Sequence, residues 1–413
     1  MLVGCSASAP NEDGGTVDAA GGDGRVGADG AGPRDLAVPD LSRPFAPPSG
    51  SDDVLQHALA TSIPVQPLPR SDSAAILDIS VDSGGGIWAV STSTVYYWPS
   101  LKSPFTYHAS NGLARKNGAN LFASVAGGLP GQAVVGNRGA IADRLEVDPQ
   151  SGAIQSLVNL EVPFSNSPEY VEHLIRVVAG LRVVIDLKGT FGGTAYIGGI
   201  HGFTTLHGLT VPCKCIAFQE HQHFMPSDAM GNCDSTVPPN HCWGGDVKGL
   251  AISPNGDLWA GDEHFVSLLP QRSLGLSTDF FQPFLFGIDV FPLVNDEVSA
   301  LASDGMGGVW VASFGNGLAY LEPLAHLPSY FDRAKELPQN RLTAVLVDDD
   351  GSVWVGTTGG GIARYFGKTT WRYYTAGSGL PSDGITSLAI DHSVNPRRLI
   401  IGTVAGVAVY SGM

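Results

Sequence analysis

The sequence predicts an all-β fold, a seven-bladed β-propeller of four-stranded antiparallel blades preceded by a disordered tether, and three observations carry that prediction. A unit of alternating strand, acidic-glycine turn, tryptophan strand, glycine turn and strand recurs along the chain. Its anchor positions, 88, 134, 196, 259, 310, 354 and 400, are separated by 46, 62, 63, 51, 44 and 46 residues. A period near 45 with about four short strands per unit is what a propeller blade requires. No long run of helical period interrupts the pattern, and 54 glycines with only 15% charged residues suit a turn-rich sheet protein.

The clearest unit is "DDDGSVWVGTTGGGIARYF", residues 348–366. Asp348 to Ser352 supply a tight turn, because Asp hydrogen-bonds nearby backbone and Gly accepts a positive φ. Val353 to Val355 read as a buried strand, Thr357 to Gly361 as a second turn, and Ile362 to Tyr365 as the next strand. Trp88, Trp259 and Trp310 mark further copies, each preceded by a strand-like run: Ile76 to Val81, Val247 to Ile252 and Val298 to Ala302, as Leu342 to Val347 precedes Trp354. Three degenerate copies place Val134, Tyr196 and Ile400 where the others have Trp. The propeller is expected over 54–413. Because the last unit stops on its third strand at Tyr410, "SIPVQPLPRSD" at 62–72 is expected to supply the missing outer strand and remove a free sheet edge.

Residues 1–53 are Gly, Ala, Asp and Pro with little to bury and read as a disordered tether. Leu2-Val3-Gly4-Cys5 at its start resembles a bacterial lipobox, which implies lipidation of Cys5 and an exported, periplasmic or cell-surface protein of a bacterium. The formal charge of −16, from 23 basic and 39 acidic residues, argues against a nucleic-acid partner. No run of 18 apolar residues occurs, so membrane attachment is expected only through the lipid, and the domain is expected to be a monomer.

"NRLTAVLVDDDGSVWVGTTGGGIARY" at 340–365 and "GLPSDGITSLAID" at 379–391 resemble the two-component-regulator propeller repeats of bacterial periplasmic sensor domains. The resemblance implies a sensor-like propeller. No kinase or DNA-binding segment is recognisable after it, so a stand-alone module without its own signalling output is expected.

In such a fold the turns after the tryptophan strands and the connections between blades gather at one face. Candidate ligand-binding residues there are Asn137, Arg138, His201, Asp262, Glu263, His264 and Asn316. The stretch from His201 to His264 holds six of the eleven histidines and four of the five cysteines. It reads as a Cys/His-rich insert at about 207–245. If the chain is exported, Cys213, Cys215, Cys233 and Cys242 are expected to form two disulfides of unassigned order. A metal site of His201, His221 and His223 is the competing reading.

No Gly-x-Ser-x-Gly elbow, His-Glu-x-x-His helix or phosphate-binding glycine loop is present. The expectation is therefore a non-enzymatic module that binds a saccharide, peptide or protein and needs no cofactor. The alternative is a propeller lyase or hydrolase with a histidine or divalent-metal site, zinc or calcium, on the loop face.

Overall fold

The structure, a computed structural model, describes residues 63, 65–113, 121–138, 142–160, 181–189, 192–199, 202–210, 218–222, 247–261, 265–269, 290–292, 297–321, 329–331, 337–367 and 371–411. The tether and residues 54–62 lie outside them. Two single-turn 3-10 helices, Ala109–Asn111 and Ala376–Ser378, accompany the strands, and no α-helix occurs among the described residues.

The first blade runs outward through Asp78–Val81, Ile87–Val90, Val95–Trp98 and Phe105–Tyr107. Five further blades follow with inner strands Phe122–Gly127, Arg182–Asp186, Gly249–Ile252, Val298–Ser303 and Leu342–Val347. The expected count of seven blades is corrected here to six: six sheets are blades of four consecutive strands, and the remaining sheet, which closes the ring, is a composite of the two ends of the described chain. It takes Ile385–Asp391, Arg398–Thr403 and Gly406–Tyr410 from the C-terminal end and Val65–Pro67 from the N-terminal end. Val65 stands opposite Tyr410 and Pro67 opposite Ala408, so segment 62–72 does supply the outer strand. Leu68 and Ile63 extend the clasp, donating to the carbonyls of Val407 and Ser378 at 2.9 and 2.7 Å. The inner strands touch their neighbours in an unbroken circuit, with Ile385–Asp391 returning to Asp78–Val81.

The anchor positions are equivalent in register. Trp88, Val134, Tyr196, Trp259, Trp310, Trp354 and Ile400 lie opposite Ser80, Ala126, Val184, Ala251, Ala302, Leu346 and Ala389 of their inner strands. Each sheet is too thin to bury both faces alone, so the core is divided among the gaps between sheets. Among the described residues every adjacent pair of sheets encloses its own apolar cluster, such as Trp88 with Phe122 and Val135, or Trp259 with Val298 and Val311. Burial at this scale, about 1.5–3 kcal/mol per large apolar side chain, is the main force holding sheet to sheet.

The acidic turns add polar staples at one end of the ring. Asp82 Oδ1 accepts from the amides of Gly84 and Gly86, both at 2.9 Å. Its Oδ2 takes the Trp88 indole N–H at 3.1 Å and the Gly131 amide of the next blade at 2.9 Å. Burial, with the Asp82 charge second, pushes the neighbouring Tyr97 phenol well above its ordinary value. Asp304 likewise accepts hydrogen bonds from the Met306 and Gly308 amides and from the Tyr320 hydroxyl. In the fourth blade Ser253 substitutes, holding the Trp259 indole at 3.0 Å and the Ser303 hydroxyl of the next blade at 3.2 Å. Asp348 binds Arg364 of its own blade and, at 2.5 Å, Arg397 of the composite sheet. The glycines of "GTTGGG" serve turn geometry: Gly361 has φ +78°, and a Cβ there would lie 2.1 Å from the Tyr374 carbonyl oxygen.

Asp391 carries the equivalent turn of the composite sheet. Its burial opposes ionisation, but hydrogen bonds from Ser393 and Arg398 outweigh it and hold its carboxyl below the usual carboxylate range. A depressed folded value gives stability that is present above the unfolded value of about 3.9 and lost as pH falls through the folded one. We expect D391N to melt below wild type at pH 7 and the deficit to close as pH is taken from about 4 to 2. A deficit that is constant across that range in thermal melts contradicts the assignment.

Candidate functional site

The turns after the second strands gather at the end of the ring opposite the acidic staples. Most of their polar atoms are consumed locally. Thr357 Oγ1 donates to the Gly361 carbonyl at 2.9 Å and accepts from the Gly360 amide at 2.8 Å. Thr403 repeats this with Gly406 and Ala405, and Ser91 with Thr94, while Ser313 Oγ accepts from the Gly315 and Asn316 amides. The side chain closes the hairpin in each case, as Ser and Thr do where backbone amides at a turn lack ladder partners.

Of the residues expected at this face, Asn137 is fully buried at the end of its second strand, opposite Phe122. Arg138 is exposed just beyond it, and Asn316 is exposed in a hairpin turn where its amide donates to Ser313. His201, Asp262, Glu263, His264 and His223 lie outside the described residues, as do Cys5, Cys213, Cys215, Cys233 and Cys242. His221 falls within Phe218–Gln222, the outer strand of the third blade, so that part of the 207–245 stretch is an ordinary blade element. Among the described residues no three His, Cys, Asp or Glu side chains group as metal ligands.

The polar constellation that the structure assembles stands on the inner strands at this same end. Asp78, Ser124, Arg182 and Ser387 occupy one register position, each facing the residue two beyond its blade's anchor: Val90, Gly136, Gly198 and Gly402. They come from the first, second, third and composite sheets. Ser387 Oγ donates to Asp78 Oδ1 at 2.6 Å, Arg182 Nη1 reaches the same oxygen at 3.2 Å, and the Val125 amide donates to Oδ2 at 3.0 Å.

That geometry locates the carboxylate. Phe122–Gly127 pairs with a strand on one side only, so an amide of it that donates to Asp78 points to its open edge, toward the ring's channel. Arg182 belongs to the third blade and Asp78 to the first, so their ion pair passes in front of the second. Asp78 is 3% exposed, whereas the Arg182 side chain keeps 28% exposure. At the same register the other three blades carry Gly249, Ala300 and Ala344, and the two alanines are absorbed in apolar packing between blades. The polar groups therefore sit along one side of the channel.

Three hydrogen-bonding atoms here are buried and unsatisfied. Ser124 Oγ, Arg182 Nε and Thr386 Oγ1 have no partner, and they are half of the six such side-chain atoms among the described residues. Buried polar groups are nearly always paired, so three orphans on neighbouring inner strands call for an explanation.

Geometry and topology define the chain as a β-propeller, and comparisons with known proteins refine that class. The profile of the Two component regulator propeller family matches residues 336–359, so the chain carries a repeat of that family. No curated protein matches the sequence. Among solved structures the fold is similar to the extracellular domain assigned to the hybrid two component system BT3049 of B. thetaiotaomicron, with 15% identity and a TM-score of 0.56. That match covers 84% of this chain, which spans only 41% of that domain. Virginiamycin B lyase from Staphylococcus aureus with quinupristin matches over 84% of this chain and 98% of its own, at 11% identity and a TM-score of 0.56. YCF48 bound to D1 peptide matches over 86% and 98%, at 14% identity and a TM-score of 0.53.

Proposed function

We propose that this chain is a ligand-binding propeller of the sensor type, working outside the cytoplasm and anchored through Cys5. The carrying observation is the one-sided constellation of Asp78, Ser124, Arg182 and Ser387 at the mouth of the channel, with three unsatisfied polar atoms beside it. Ligands bind where a few polar groups converge, and Asp78, Ser124, Arg182 and Ser387 converge from four sheets at this end of the ring. The repeat at 336–359 and the likeness to extracellular sensor propellers support the sensor reading and the location. The likeness to a propeller with quinupristin and to one with a peptide supports a small molecule or peptide as occupant.

Thermal melts of the full chain against panels of short peptides, oligosaccharides and small organic acids test this. A ligand at a hundredfold excess over its Kd stabilises by about 2.7 kcal/mol, a shift of several degrees. One class is expected to give a saturable rise. No rise with any class, together with turnover of an ester or glycoside substrate by the purified protein, overturns the binding reading in favour of an enzyme.

A further inference from the structure

The chemistry of the channel mouth narrows the ligand, on the assumption that the module binds one there. Asp78 is nearly saturated: Oδ1 accepts from Ser387 and Arg182, and Oδ2 from Val125. The groups left without partners are different in kind. Arg182 Nε and the Ser124 and Thr386 hydroxyls can each donate, and Arg182 uses one nitrogen of its fork on Asp78. An unspent set of donors around a guanidinium matches an acceptor-rich, anionic partner. A carboxylate fits it best, because its two oxygens match the planar spacing of two guanidinium N–H groups.

We infer that the channel mouth binds the carboxylate of a small organic acid, with Arg182 as the anchor and Ser124 as a second donor. Asp78, which already accepts from Arg182, serves as the internal stand-in for that carboxylate. Arg182 is suited to change partners, because its side chain crosses from the third blade and remains partly exposed, whereas Asp78 stays held by Ser387 and the Val125 amide when the guanidinium turns away. The site is thus primed with a fixed anion and a movable cation: ligand entry gives Arg182 a new carboxylate, and Asp78, at the cost of its ion pair, keeps its hydrogen bonds from Ser387 and the Val125 amide.

The test is calorimetric titration of the full chain with succinate, glutamate and glucuronate, with inorganic phosphate as a second anion and glucose as the neutral counterpart. At least one carboxylate is expected to bind, with affinity falling about tenfold in R182K, which keeps the charge but loses the fork, and about a hundredfold in R182Q. S124A is expected to weaken the same ligand severalfold while melting within about 2 °C of wild type, which separates loss of a donor from misfolding. Phosphate binding equal to that of every carboxylate overturns the choice of anion. A wild-type chain that binds only neutral ligands, unchanged by R182Q, overturns this inference and leaves the binding module standing. No binding of any ligand from this set or the broader panels removes both.

Discussion

Removal of residues 63–69 lowers the melting temperature of the ring by about 10 °C and opens the composite sheet. The deletion strips the outer strand that pairs Val65 to Pro67 with Tyr410 to Ala408, and takes with it the buried side chains of Ile63 and Leu68. Those two side chains alone account for about 3–6 kcal/mol. It also leaves the Trp98 indole without its acceptor, the Pro69 carbonyl at 3.1 Å. A synthetic peptide of residues 60–72 added in trans should restore most of the loss, because the missing piece is one edge strand with a defined register. A deletion variant that melts within 2 °C of the full chain would show that the clasp contributes nothing to closure.

Substitution of Asp82 by Ala destabilises by about 3 kcal/mol or more, since it orphans four donors at once and each buried orphan costs about 1–3 kcal/mol. Two of them, the Trp88 indole and the Gly131 amide, belong to the core of the first blade and to the second blade, so the loss falls on the joint between them. D82S is expected to recover part of the stability, because the fourth blade already holds its tryptophan through Ser253. Chemical denaturation of the three proteins reads this directly. Equal stability of D82A and D82S refutes the claim that the turn side chain is the staple.

The periodicity of the blades was legible because it is written locally. An acidic turn, an apolar strand and a glycine turn lie within twenty residues of one another, and even Val134, Tyr196 and Ile400 fall in register without a tryptophan. Composition gave no sign that one sheet would be built differently from the rest except at Tyr410, where the strands ran short. The site was legible only as an end of the ring. Polar side chains of the turns there, Ser91, Thr357 and Thr403, spend their polarity on their own hairpins, a fate a turn sequence does not distinguish from ligand binding.

The pair that defines the channel mouth was hidden for a different reason. Asp78 and Arg182 are 104 positions apart, and Asp78 and Ser387 309 apart. Each sits in an inner strand that reads simply as alternating, and only closure of the ring brings them to one level. Two further features were equally invisible. Asp82 and Asp348 reach into the next sheet as well as closing their own turns. Ser124 and Thr386 look like ordinary strand hydroxyls until the lack of a partner singles them out.

The composite sheet also sets a timetable for biosynthesis. Val65 leaves the ribosome 345 residues ahead of its partner Tyr410, the difference between their positions, which at about 5–20 residues per second is a wait of roughly 20–70 s. Throughout that interval the first blade exposes the apolar face later covered by Ile400, Val407 and Val409, and the N-terminal strand has no sheet to join. Contacts of such long sequence separation also form slowly once both ends exist. The emerging polypeptide therefore carries an open apolar blade face until its last hairpin is made, the interval in which misassociation competes with closure of the ring.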